Sequence, residues 1–140
     1  MQEYVLGIIY GDDHVLLIEK QTPEWQRGKY NFLGGKINEK ETTFNALVRE
    51  IKEECGLDIF SNSIVYEGNI FRRNQFSMFV YSCDVGKEIH KAQTLEKEKV
   101  IIMPIQQFKS LDKNTMIENL HWLWEINRDG YAKEYEIEYV

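Results

Sequence analysis

Apolar and polar positions alternate along the first part of the chain and then change period. Tyr4–Tyr10 is β-rich, Gly11, Asp12 and Asp13 are turn residues, and His14–Glu19 resumes the apolar run. That pattern predicts a hairpin. Residues 20–29 contain Pro23, Gly28 and several polar groups and read as a loop; Tyr30–Leu33 reads as a short strand ending at Gly34 and Gly35. Over residues 43–55 the period becomes helical, with Phe44, Leu47, Val48, Ile51 and Cys55 on one stripe. Thr42 or Thr43 can cap its start, and Gly56 suits the left-handed position after its end. Ile64–Arg72 and Phe76–Val85 read as two strands joined at Arg73, Asn74 and Gln75. Residues 86–99 read as a charged loop, and Val100–Met103 as a strand closed by Pro104. Thr115–Arg128 predicts a second helix with Ile117, Leu120, Leu123 and Trp124 facing inward, ending near Gly130. Tyr135–Tyr139 alternates like a last strand. Mixed strands with two helices predict an α+β fold: a mixed sheet flanked by helices, an α/β/α sandwich, in one domain over residues 1–140.

Charge narrows the function classes. A formal net charge of -6 argues against a surface that coats nucleic acid or anionic membrane, because such a surface is basic. A small anionic substrate stays open, since a metal ion inverts the local field. No apolar run reaches the length of a membrane span, and no secretory leader is visible. Cys55 and Cys83 have no metal-ligand spacing. The expectation is a soluble cytoplasmic protein with two reduced thiols.

The predicted first helix carries an oddity. Glu50, Glu53 and Glu54 lie at i, i+3 and i+4, where like charges repel. At 100° per residue they occupy an arc of roughly 100° opposite the apolar stripe, with Arg49 and Lys52 outside it. The plain reading of such a run is a solvated acidic face. The sharper reading is a divalent cation, because converging hard oxygens suit Mg²⁺ or Mn²⁺, which also binds substrate phosphates.

The stretch around this helix resembles the signature of the Nudix hydrolase family. Gly35, Glu41, Arg49, Glu50, Ile51, Glu53, Glu54, Gly56 and Leu57 fill each defined position of that signature at its spacing. The resemblance implies the Nudix fold and a Mg²⁺- or Mn²⁺-dependent pyrophosphohydrolase acting on a nucleoside diphosphate linked to another moiety. Phosphoryl transfer of this kind rests on positioning and charge stabilisation, so no Ser or Cys nucleophile is needed. By the same resemblance Glu50, Glu53 and Glu54 match metal-binding glutamates, and Gly35 matches a position whose carbonyl completes the metal shell. Arg49 matches an arginine that orients a glutamate, and Glu41 a loop glutamate of structural or outer role. Gly34 and Gly56 belong to the structural frame of the motif. The family often takes a further ligand or general base from a later loop, which puts Glu98, or its neighbour Glu96, on the list of candidates. His14, His90 and His121 form no constellation in the sequence and read as surface or satisfied histidines.

Substrate choice rests on other residues. Asn31 resembles an asparagine that precedes the Gly-Gly-Lys of members that sanitise nucleoside triphosphates. The segment Met116–Leu123 resembles their base-reading segment, which would place Glu118 and Asn119 at a purine edge. Lys36, Arg72 and Arg73 are candidates for phosphate contacts. A nucleoside triphosphate, oxidised or noncanonical ones included, is therefore the expected small-molecule partner. ADP-ribose or a dinucleoside polyphosphate is the alternative within the enzyme class, and a non-catalytic nucleotide sensor the alternative outside it. The alternating tail Tyr135–Val140 could pair across a homodimer, as exposed edge strands can.

Overall fold

The computed structural model describes residues 1–117, 120–128 and 134–140. Its strands are β1 (Gln2–Gly11), β2 (His14–Glu19), β3 (Tyr30–Asn31), β4 (Leu33–Lys36), β5 (Ile64–Arg72), β6 (Phe76–Asp84), β7 (Lys99–Pro104) and β8 (Tyr135–Glu138). Its helices are α1 (Thr43–Cys55), α2 (Ile105–Lys109) and α3 (Leu120–Arg128). The strands form one mixed sheet in the order β3-β2-β1-β6-β5-β8, with β4 added to β1 and β7 to β2. The β1–β6 and β5–β8 pairs are parallel and the others antiparallel.

Both faces of the sheet are covered, and this explains the near-continuous apolar runs of β1 and β2. Val5, Ile9, Leu16 and Ile18 point to the layer formed by Leu47, Ile51 and Cys55 of α1. Leu6, Ile8, Val15 and Leu17 point the other way, to Phe108 of α2 and to Leu120, Leu123 and Trp124 of α3. The period of two thus sends alternate residues into two separate cores. The expected sandwich of a mixed sheet between helices is the observed architecture.

One edge of β1 is divided between two partners. Tyr4–Gly7 pairs with Leu33–Lys36 of β4, whereas Tyr10 and Gly11 pair with the start of β2. The sheet therefore splits beside β1, and Gly34 and Gly35 line that split. The helix α1 begins on the Thr42 cap, whose side chain accepts from the Asn45 N–H, and ends at Gly56 with φ 85. Both features follow the expectation, because only glycine adopts that backbone without steric cost.

Three boundaries differ from the sequence reading. The expected strand Tyr30–Leu33 is two: β3 pairs with β2, the chain breaks at Phe32, and β4 continues through the glycines to Lys36. The expected loop 86–99 begins with a 3-10 turn, Gly86–Lys91, folded over the buried Ile89. The expected helix from Thr115 does not include residues 115–117, the described helix is Leu120–Arg128, and the expected end near Gly130 lies outside the described residues. A 3-10 turn ends at Thr115, Met116 bridges to Tyr30, and the Ile117 N–H donates to the Tyr30 carbonyl at 2.9 Å. Extended pairing with another strand there wins over helical propensity. The tail is also used within the chain: β8 lies parallel to Gly68–Phe71 of β5.

Candidate active site

The site forms where α1 lies over the split in the sheet. Glu54 is 7% exposed, and its carboxylate accepts the Gly34 N–H at 2.8 Å. Glu50 lies against the neighbouring glycine: a Cβ at Gly35 would fall 2.5 and 2.6 Å from the two Glu50 oxygens. A side chain at Gly35 would displace the Glu50 carboxylate from this position. Glu53, one turn beyond Glu50, is half exposed.

Arg49 organises this surface. Its Nε and one Nη donate to both oxygens of Glu41 at 2.7 and 2.8 Å, a bidentate fork. The other Nη donates to Glu50 at 2.9 Å and Glu53 at 3.2 Å, and the Lys36 carbonyl accepts a further bond at 2.9 Å. Arg49 thus ties the loop before α1 to the helix and to β4. Its guanidinium pulls the Glu41 carboxyl down to about 2, helped by the Asn38 N–H.

The two inner glutamates move the opposite way. Burial pushes the Glu54 carboxyl up to about 8, against the Gly34 N–H that lowers it, and the charges of Glu50, Glu96 and Glu98 push in the same direction as burial. Burial also raises Glu50, partly offset by Arg49. Like charges and poor hydration both favour the neutral acid. A positive charge entering here would meet Glu54, held by a backbone N–H, and Glu50, which already pairs with Arg49.

One reading of the acidic helix is corrected. The three glutamates do not share a solvated arc: Glu54 turns inward to a backbone N–H donor, and Glu50 and Glu53 turn to Arg49. Arg49, outside the arc by helical angle and expected from the resemblance to orient a glutamate, reaches Glu53 at i+4 and Glu50 beside it. Helical angles place Cα–Cβ vectors, whereas long side chains follow the donors that tertiary packing supplies.

A cavity of about 560 Å³ opens beside the glycines, lined by Asn31, Gly34, Gly35, Lys36, Phe76 and Glu98 among others. Residues 93–98 come here because the Gln93 and Leu95 N–H groups donate to the carbonyls of Cys55 and Glu54, at the end of α1. Glu98 faces the cavity with its carboxylate held by the Gln21 N–H at 2.8 Å and by Lys20 at 3.4 Å. Glu96 is exposed and absent from the lining, though its charge acts on Glu50 and Glu54. Asn31 uses its side-chain oxygen locally, accepting from the Phe32 N–H at 2.9 Å.

Arg72 and Arg73 serve elsewhere: Arg73 pairs with Glu138 at 2.9 Å and Arg72 donates to the Val140 carbonyl. Glu118 and Asn119 lie outside the described residues. Trp124 is core, set edge-on against Tyr10 and Phe108, whereas Trp122 is exposed. Lys20, on the cavity wall and paired with Glu98, escaped the sequence reading because a single loop lysine has no positional signature. A second cavity, of about 470 Å³, lies beside Lys113, Asn114, His121 and Trp122 and touches no motif residue.

All three histidines are surface or satisfied, as expected, but two of them do form a constellation. His121 is satisfied by the Phe108 carbonyl at 2.9 Å. His14 and His90, however, meet at Asp12, with rings 4.8 Å apart. They stand 76 residues apart (90 − 14) in sequence, so nothing local signals the meeting.

This fold has clear relatives among solved structures. The MutT protein from Bacillus halodurans superposes with a TM-score of 0.71 at 18% identity, covering 100% of this chain and 91% of that one. A hydrolase of the NUDIX family from Clostridium perfringens gives 0.69 at 19% identity, covering 91% and 96%. These likenesses define the class of fold. The profile of the NUDIX domain matches residues 2–123, and the chain belongs to that family. It is also 40% identical over 58 residues to the CTP pyrophosphohydrolase of Escherichia coli, a match spanning 41% of this chain and 43% of that relative. No helix among the described residues is long and apolar enough to cross a membrane.

Proposed function

We propose that this chain is a divalent-cation-dependent pyrophosphohydrolase that cleaves the phosphoanhydride of a nucleoside diphosphate linked to another moiety. The proposed substrates are nucleoside triphosphates, oxidised or noncanonical ones included, and the proposed ion is Mg²⁺, with Mn²⁺ as a substitute. One observation carries the reading: Glu54 is buried and Glu50 half-buried against Gly34 and Gly35, two glycines that also line the cavity, and burial raises both carboxyls.

The residues fit such an ion. Their donors are hard oxygens, a side chain at Gly35 would fill the space, and the carboxyls lack a sufficient countercharge. Glu50, Glu53, Glu54 and the Gly35 carbonyl would hold it. When bound, Mg²⁺ neutralises phosphate charge and lowers the pKa of water. Arg49 keeps Glu50 and Glu53 in place while its own position is fixed by Glu41. Lys36 and Lys20, both on the cavity wall, offset negative charge on the substrate. Glu98, held by Gln21 and Lys20 on the same wall, is the proposed acceptor of a proton from the attacking water. Asn31 lines the cavity and is the proposed contact for a base.

The E. coli relative is a CTP pyrophosphohydrolase, which adds pyrimidine triphosphates to the candidates. The test is a chromatographic panel with Mg²⁺ of dNTPs, CTP, oxidised dNTPs, ADP-ribose, NADH, Ap4A and capped RNA. Monophosphate and pyrophosphate from one or more triphosphates is the expected outcome. Cleavage of ADP-ribose or Ap4A alone would replace the triphosphate assignment, and binding without cleavage of any member would make the chain a sensor.

A further inference from the structure

The tip of the β1–β2 hairpin is held unusually firmly for an exposed turn. Asp12 and Asp13 both take left-handed backbone angles, φ 48 and 61, the conformation of a two-residue hairpin turn. The Tyr10 carbonyl just before them accepts the Val85 N–H at 2.8 Å, and the Asp13 carbonyl accepts the Ile105 N–H at 2.9 Å. The 3-10 turn Gly86–Lys91, anchored by the buried Ile89, brings His90 over this tip.

Three side chains meet there. His90 Nε2 is 2.7 Å from Asp12 Oδ2. His14 Nδ1 is 2.6 Å from the Asp12 backbone oxygen. A carbonyl oxygen only accepts, so Nδ1 donates, and in the neutral ring Nε2 keeps its lone pair for another partner. This is how proteins orient an imidazole that ligates through its other nitrogen. One ligand atom from each of Asp12, His14 and His90 lies within 4.8 Å of the others. Tetrahedral ligands at the usual zinc distances are about 3.3 Å apart, so closure needs side-chain shifts of roughly 1–1.5 Å. Partly exposed side chains make such shifts readily.

We propose that Asp12, His14 and His90 form a second cation site, for a zinc-class ion, that clasps the hairpin tip to the 3-10 turn. Two imidazoles and a carboxylate suit Zn²⁺, Ni²⁺ or Co²⁺, whereas Mg²⁺ selects oxygen. The site is separate from the glutamates. Gly35 pairs with Val5 and His14 with Gly11, and that stretch of β1 spans about 20 Å at 3.3–3.4 Å per residue. The ion takes the place of the proton on the line between His90 and Asp12.

The experiment is calorimetric titration of ZnCl₂ into the full chain, free of any polyhistidine tag and with saturating Mg²⁺ to occupy the glutamates. The expected result is one equivalent of Zn²⁺ bound by the parent and by Glu53→Gln. His90→Ala and His14→Ala should each weaken it at least about 10- to 100-fold, the scale on which even outer contacts tune metal affinity. Imidazole NMR of the parent should show His14 and His90, and not His121, shifted by Zn²⁺. Circular dichroism of the two alanine variants separates loss of the site from loss of the fold. Equal Zn²⁺ binding by the parent and a His14→Ala/His90→Ala double variant would overturn the proposal, as would binding lost in Glu53→Gln but kept in His90→Ala.

Discussion

The two ends of the β1–β2 hairpin gather charged side chains in contrasting ways. At the Val5 end, carboxylates are brought against a glycine pair and kept from water, and burial raises Glu54 to about 8. At the Gly11 end, one carboxylate and two imidazoles meet in the open, and a hydrogen bond from His90 holds Asp12 below the ordinary carboxylate range. The same strand supports both, yet the first arrangement holds its carboxyls against burial and the second is satisfied by hydrogen bonds in the open. A buried group is governed by desolvation and an exposed one by its nearest donor. Burial is therefore the feature that separates the proposed active site from the proposed cation site at the hairpin tip.

The harshest way to break the contrast is to remove divalent ions. EDTA should abolish nucleotide hydrolysis and Mg²⁺ should restore it, while His90→Ala leaves turnover at the parental rate. Full activity after exhaustive chelation would end the metal-dependent reading. Replacing single glutamates should come next. Glu53→Gln and Glu54→Gln keep the shape and remove the charge, and kcat should fall by at least about 10²–10³-fold, as when a group stabilising transition-state charge is lost. Rates near the parent in both variants would return this face to the solvated surface it resembles in sequence.

A smaller effect is expected from the cavity wall. Asn31→Ala should raise KM and flatten discrimination between purine and pyrimidine triphosphates, by about 10- to 100-fold in kcat/KM if one buried hydrogen bond is left unmade. The measurement compares dGTP, dATP and dCTP, with kcat falling far less than in the glutamate variants. Unchanged discrimination would move Asn31 from recognition to its local bond with Phe32.

The smallest effect is the most diagnostic of burial. A carboxyl that holds its proton more tightly folded than unfolded loses stability as pH rises between its two pKa values, here from 4.5 to about 8. The metal-free protein should therefore melt lower as pH climbs across that window. Glu54→Gln should flatten the slope and raise the melting temperature at its upper end by roughly 3 °C or more. Activity and stability would then move in opposite directions at one residue. Added Mg²⁺ should restore the parent at high pH, because metal binding requires the deprotonated carboxylate. A parent whose metal-free melting temperature is flat across the window would mean that Glu54 is better hydrated than its burial implies.

Much of the molecule was legible in the chain itself. Period two in β1 and β2, period 3.6 in Thr43–Cys55, the Thr42 cap and the left-handed Gly56 are local facts, set by backbone sterics and by which residues dislike water. The spacing Gly35, Glu41, Arg49, Glu50, Glu53 and Glu54 was equally visible, because a motif carried by one loop and one helix needs no distant partner. Tertiary structure decided what those side chains experience. Glu54 is buried because β4 presents the Gly34 N–H to it, 20 residues away (54 − 34), and Arg49 becomes a hub because the Glu41 loop folds back over the helix. His14 and His90 meet because the chain after β6 is bonded to the Tyr10 carbonyl through Val85 and turns over the hairpin tip at Gly86–Lys91. Sequence determines which groups exist and how they repeat along an element. Protonation, pairing and ligand geometry depend on distances through space, and those are set only when separate elements pack together.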